Sequence, residues 1–234
     1  MTPYYTDDFI TLYHGDCLEI LPGLVGIDSL ISDVPYGMNL DTDSTRFSGG
    51  HRDNVLKRGA GKDWGGGIVN DDKPFDPSHL LNYRRVLLFG YQHFAAALPV
   101  GSVLVWIKRL DPAFGSFLSD AELAWMNTGH GVYCFRDLSM NAEANNRLHP
   151  TQKPLSLMRW AIERANPQGP ICDPYTGSGS TLVAAKQLGL KCIGIEIVEA
   201  YCEVTAKRVS QTTVMFPGVR LPVIQPTQAA MELA

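Results

Sequence analysis

Short apolar runs alternate along this chain with segments whose apolar residues recur at helical spacing, and that alternation leaves few folds open. Strands are expected at 9–14 ("FITLYH"), at 26–31 ("GIDSLI", ending near Ser32 or Asp33), at 86–90 ("VLLFG") and at 102–108 ("SVLVWIK"), with short helices at 18–24 and 92–98 between them. The run 121–135 ("AELAWMNTGHGVYCF") predicts two strands around a Gly-containing turn, paired antiparallel. The alternation then resumes. Leu155, Met158, Ala161, Ile162 and Ala165 mark a helix; strands at 170–172 and 191–195 flank a helix at 180–188 that Gly189 closes; a last helix runs from 199 to about 209. Such a pattern predicts an α/β fold: a doubly wound, Rossmann-like sheet, mostly parallel with one antiparallel strand. With 234 residues, one large domain over 1–210 and a tail over 211–234 account for the chain.

Composition excludes several classes. No run approaches the roughly 18 apolar residues that span a bilayer, and "MTPYYTDDF" lacks the basic and apolar regions of a signal peptide. A cytoplasmic protein is the expectation. The five cysteines are widely spaced with no C-x-x-C pair, so free thiols are expected. No metal-ligand set is visible in the sequence: neither H-E-x-x-H nor a deaminase pattern occurs. The net charge of −4 gives no global attraction to nucleic acid, but Arg46, Arg52, Lys57, Arg58 and Lys62 face the single acid Asp53 within one glycine-rich window. That window lies in a connection, 38–75, too long for a packed turn.

Four expected strands end in an acid: Asp16 in "YHGDC", Asp33 in "SDVPYG", Asp173 in "ICDPYTGSGST" and Glu196 in "IGIEI". One such acid is commonly a helix N-cap. Four along one edge of a parallel sheet would line a crevice suited to a ligand with hydroxyls and a positive charge. Gly177 and Gly179 let the backbone of the following loop approach a ligand closely. Glu196 lies 19 residues after Gly177, the spacing of an acid that binds ribose hydroxyls. Nicotinamide cofactors use G-x-G loops too, but Leu182 replaces the third glycine of that pattern, and Asp173 before the loop would repel a pyrophosphate.

In order and content these motifs resemble the DNA amino-methyltransferases that use S-adenosylmethionine, in the circularly permuted arrangement called the β class, with the catalytic motif before the cofactor motif. "DVPY" at 33–36 is similar to the family tetrapeptide [DNS]-P-P-[YFW], and "DPYTGSGS" at 173–180 to its loop D-P-F-x-G-x-G-[ST]. "GDCLEIL", "RLHPTQKPLSLMRWAI" and "GIEIVEAYCEVTAKR" resemble flanking family segments. The resemblance covers 12–37 and 147–209.

This resemblance implies a catalytic domain at 1–210 that moves a methyl group from S-adenosylmethionine to the N6 amine of an adenine flipped from double-stranded DNA, as in restriction-modification systems. Asp33 and the carbonyl of Val34 would accept the two N–H groups of the amine, Pro35 would hold the turn, and Tyr36 would stack on the base. Asp16 and Cys17 would read the cofactor's adenine and Glu196 its ribose. Asp33, Asp173, Tyr175, Gly177, Ser178, Gly179 and Thr181 would surround the methionine portion, with Thr151, Gln152 and Lys153 closing over it. The 38–75 loop would be mobile and face DNA through Arg46, Arg52, Lys57, Arg58, Lys62 and Trp64, and 111–146 would form a small target-recognition insert. The resemblance admits a homodimer. Val34 departs from the family's proline; it keeps the carbonyl and gives up a locked φ. Cytosine-N4 transfer, or a catalytically silent cofactor- or nucleic-acid-binding module of the same fold, stay open as alternatives.

Overall fold

Along Arg85–Phe89, at the centre of the sheet, Val86 and Leu88 enter one apolar layer while Leu87 and Phe89 enter the other. This period of two, apolar on both sides, is what a strand covered by helices above and below requires. The computed structural model describes residues 1–43, 63–65, 67–115, 119–139 and 147–215. Within them the strands are β1 (Tyr5–Thr6), β2 (Ile10–His14), β3 (Ser29–Asp33), β4 (Arg85–Phe89), β5 (Ser102–Ile107), β6 (Ala121–Met126), β7 (Val132–Arg136), β8 (Ile171–Asp173) and β9 (Cys192–Glu196). They form one sheet in the order β1-β2-β9-β8-β3-β4-β6-β5-β7.

The helices are α1 (Cys17–Ile20), α2 (Tyr91–Phe94), α3 (Leu155–Ala165), α4 (Ser180–Gln187) and α5 (Glu199–Ser210). Leu157, Met158, Ala161 and Ile162 of α3, Leu182 to Ala185 of α4, and Cys202 and Val209 of α5 join one core layer. Cys17 and Ile20 of α1 and Phe94 of α2 join the other. Asn166 ends α3 in the left-handed conformation, its N–H bonded to Ile162 O and Glu163 O, and Gly189 at φ +70° follows α4 as expected.

Two expectations need correction. The strands at 121–126 and 132–136 do not pair with each other: β5 lies between them, antiparallel to β6 and parallel to β7. Ala124, Trp125 and Met126 of β6 are buried, and β6 reaches that burial by hydrogen bonding to both β4 and β5. The sheet also holds two antiparallel strands rather than one, because β1 folds back on β2. Strands β2, β9, β8 and β3 are contiguous and mutually parallel, so their carboxyl ends share one edge. Among the described residues no helix is long and apolar enough to cross a membrane.

The short β1 is fastened from below. Lys186 on α4 is buried and donates to Asp7 Oδ2 (2.6 Å) and to Val209 O (2.8 Å), while Asp7 Oδ1 accepts the N–H groups of Phe9 and Ile10. Burial opposes the Asp7 charge, but Lys186 and those backbone donors outweigh it and hold the carboxyl down at about 2. A depressed carboxylate adds stability above its unfolded value and loses it as pH falls through the folded one. We therefore expect Lys186→Met to lower unfolding free energy by about 3 kcal/mol at neutral pH in a urea titration. We expect Asp7→Asn to flatten the loss of stability between about pH 4 and pH 2.

Candidate active site

Asp33 and Asp173 are the last residues of β3 and β8, Glu196 is the last of β9, and Asp16 stands two residues past β2. The four acids thus stand at one sheet edge, as the sequence predicts. Each also has local work. Asp16 caps α1, its Oδ1 accepting from Leu18 N at 2.8 Å. Asp173, 2% exposed, accepts from Ser32 Oγ (2.6 Å) and Tyr175 N (3.1 Å). Glu196 accepts Gly177 N at 2.7 Å through one oxygen and Val198 N at 2.8 Å through the other. Burial first, and neighbouring acids after it, raise both Asp173 and Glu196 to about 6, against the hydrogen bonds that favour their charge.

Those carboxylates shape the glycine loop from both sides. Gly177 and Gly179 have φ of +54° and +82°, which L side chains rarely adopt, and a Cβ on Gly179 would lie 2.7 Å from a Thr205 methyl. Thr205 also donates to Gly177 O at 3.0 Å. Ser178 reaches Gln152 Oε1 at 3.4 Å, which links the loop to the 149–153 turn, and Thr151 N bonds to His149 Nδ1 at 3.3 Å. The His149 ring packs edge-on to Tyr201, and burial, then Lys153, lowers its pKa to about 4.

Asp33 is the centre of a charged cluster. Lys153, 5% exposed, donates to Asp33 Oδ1 at 2.7 Å, to Glu122 Oε1 at 2.7 Å and to the Tyr36 oxygen at 3.1 Å. Its three N–H groups are therefore all engaged. The Tyr36 hydroxyl lies 2.7 Å from Asp33 Oδ1 and 2.5 Å from Glu122 Oε1, one proton between two acceptors. Lys108 approaches Glu122 Oε2 at 3.4 Å. Burial raises Asp33 despite Lys153, whereas Glu122, with two lysines against the same burial, is held down at about 2. Burial opposes the charge on Lys153 too, and the two carboxylates prevail and raise its pKa.

The Tyr36 ring stacks on His93, centroids 5.0 Å apart. His93 thus covers one face of the Tyr36 ring. Gly90, φ +87°, makes the tyrosine's place possible, since a Cβ there would lie 2.2 Å from the ring. Val34 and Pro35 are buried behind the motif. Asp71 then fastens the next turn: Oδ1 accepts Gly37 N at 2.7 Å, Oδ2 accepts Leu40 N at 2.8 Å, and its carbonyl accepts Asn39 N at 2.6 Å.

One cleft of about 870 Å³ joins these parts. Its lining includes Asp16, Cys17, Glu196 and Tyr201, Gly177, Tyr175, Thr151 and Lys153, and Asp33, Tyr36, Trp64 and Glu122. Trp64 is thus at the site, whereas Arg46, Arg52, Lys57, Arg58 and Lys62 lie outside the described residues. Among the described residues no three or more His, Cys, Asp and Glu are placed to hold a metal ion. Glu122, Lys108, Asp71, His93 and Gly90 were not singled out by the motifs. One signal existed for Glu122, a charge inside the otherwise apolar run "AELAWM".

Residues 110–208 match the N6/N4 methyltransferase family, described as DNA methylase. This is the family the motifs resemble, and its matched segment carries Glu122, Lys153, Asp173 and Glu196. Escherichia coli (strain K12) YubD, named a methylase, is 48% identical over 59 residues, 25% of this chain and 26% of that protein. The type II methyltransferase M2.DpnII of Streptococcus pneumoniae is 44% identical over 61 residues, 26% of this chain and 23% of its own. The chain thus spans about a quarter of the length of these relatives. In fold, it is similar to the cytosine-N4-specific PvuII DNA methyltransferase, with a TM-score of 0.55 and 13% identity over 88% of each chain.

If Gly90 exists to admit Tyr36, Gly90→Ala will destabilise the protein by about 1–3 kcal/mol, from the left-handed backbone and the displaced ring together. The midpoint of chemical unfolding reads this directly. An unchanged midpoint would show that Tyr36 has another place to go.

Proposed function

We propose that this chain is an S-adenosylmethionine-dependent DNA methyltransferase acting on the exocyclic amine of a base flipped from double-stranded DNA, with adenine N6 as the target. The observation that carries this reading is that one cleft is lined at once by Asp16, Glu196, Gly177 of the glycine loop and Asp33. Its acidic edge fits a cationic ligand bearing hydroxyls. The loop fits as well, because the nearest neighbour of a Cβ on Gly177 would be His149 at 3.7 Å, leaving the backbone open to a ligand.

S-adenosylmethionine, when bound, supplies an electrophilic methyl group on a sulfonium. Glu196 and Asp16 would hold its ribose and adenine, the 173–181 loop its methionine portion. The target amine is a poor nucleophile while its lone pair is delocalised into the ring. Asp33 and the Val34 carbonyl, each accepting one N–H, draw the lone pair out of conjugation and fix its direction. Among the described residues, Lys153 and Tyr36 both bond to Asp33 Oδ1 and no hydrogen bond reaches Oδ2. That oxygen is the acceptor for the amine. The basic residues between Arg46 and Lys62, with Trp64, would contact DNA, since that window concentrates positive charge in a chain whose net charge is −4. Adenine is favoured because an aspartate, not a serine, opens the tetrapeptide.

Incubation with unmethylated double-stranded DNA and methyl-labelled S-adenosylmethionine, followed by digestion to nucleosides, tests this. We expect N6-methyladenine. N4-methylcytosine would correct the base alone, and cofactor binding without transfer would leave the silent module. Asp33→Ala should abolish transfer while changing cofactor affinity less than about threefold, since the carboxylate orients the amine. Glu196→Gln should weaken cofactor binding about tenfold by calorimetry, as a charge-assisted contact to hydroxyls becomes a neutral one.

A further inference from the structure

We infer that Glu122 is a positioning residue for Asp33, acting through Lys153 and Tyr36. The inference rests on the proposed methyl transfer and adds a second carboxylate to it. Glu122 stands on β6, opposite Trp106 of β5, and its side chain is 13% exposed. A carboxylate this enclosed is costly unless its oxygens are occupied. Oε1 is occupied by two groups that also touch Asp33, Lys153 and Tyr36, and Oε2 by Lys108.

The geometry sets a competition for one ammonium. Lys153 is equidistant, at 2.7 Å, from Asp33 Oδ1 and Glu122 Oε1. Without Glu122 the whole of its charge would fall on Asp33 and weaken that carboxylate as an acceptor for the target amine. With Glu122, Lys153 and Tyr36 are held from the far side. Asp33, which lines the cleft, is then fixed through Oδ1, leaving Oδ2 for the amine. Glu122 itself is separated from the amine's acceptor by both groups, so it acts by orientation and by charge.

The electrostatic consequence has a definite sign. Asp33 is faced by Lys153, Tyr36 and Glu122, by Asp173 on the adjacent strand, and more distantly by Lys108 behind Glu122 and His149 beside Lys153. Removing the Glu122 charge leaves Lys153 unopposed, so the Asp33 pKa falls and its carboxylate persists to lower pH.

The test is the pH profile of methyl transfer to DNA by the whole chain, with Glu122→Gln and Glu122→Asp. In Glu122→Gln we expect turnover to fall about tenfold to a hundredfold, KM for S-adenosylmethionine to stay within about threefold, and the acid limb to move down by about one pH unit. Glu122→Asp keeps the charge and should return the limb to its parental position. An acid limb that coincides in parent and Glu122→Gln overturns the inference, as does a limb that stays displaced in Glu122→Asp. Carbon-13 NMR titration of the Asp33 carboxyl in parent and Glu122→Gln decides the matter without turnover: a downward shift supports the inference and an unmoved titration overturns it. If the parent transfers no methyl group, the functional reading fails alone, and the NMR titration still judges the role of Glu122.

Discussion

A buried ammonium is the constraint around which this site is assembled. Lys153 sits within the protein at the head of α3, where an unpaired charge would cost several kcal/mol, and only well-placed opposite charges and acceptors make it tolerable. Asp33 comes from β3, Tyr36 from the turn after it, and Glu122 from β6. The 33–36 segment, β6 and Lys153 are far apart in the chain and brought together by the order of the sheet. The antiparallel β6 matters here, because its insertion between β4 and β5 places Glu122 within reach of Lys153.

The other half of the cleft is organised by carboxylates that bind backbone. Glu196 ties the end of β9 to Gly177 and Val198, and Asp173 ties the end of β8 to Ser32 on β3 and to its own loop. Glu196, which lines the cleft, thus also holds the loop in place, and Asp173 supports it from within the core. A substitution at either position changes the shape of the site as well as its charge.

The glycine-loop half of the cleft was legible in the sequence for a physical reason. Strand ends, a glycine loop and the following helix are local, so "ICDPYTGSGSTLVAAKQL" already determines which residues come together, and β3, β8 and β9 end at the expected acids. The hairpin expected at 121–135 failed because strand pairing is non-local. "AELAWM" and "VYCF" have strand patterns and a turn between them, but nothing in either run shows that β5 passes between. Glu122 was missed with it. Its meaning depends on which strands flank it, and so does that of Lys153, expected over the cofactor and placed against Asp33 and Tyr36. Asp71 escaped notice for a similar reason, since its partners are backbone amides 31 to 34 residues away.

Burial at the edge of β8 and β9 works against the charge of the carboxylates that end those strands. Asp173 and Glu196, both raised to about 6, hold protons at a pH where exposed carboxylates have lost them. A cation entering this edge favours the ionised forms and drives those protons out. Of the two, Glu196 lines the cleft, so proton and cation compete for its oxygens, and a cation beside Glu196 is held more tightly as the medium passes from mildly acidic to neutral.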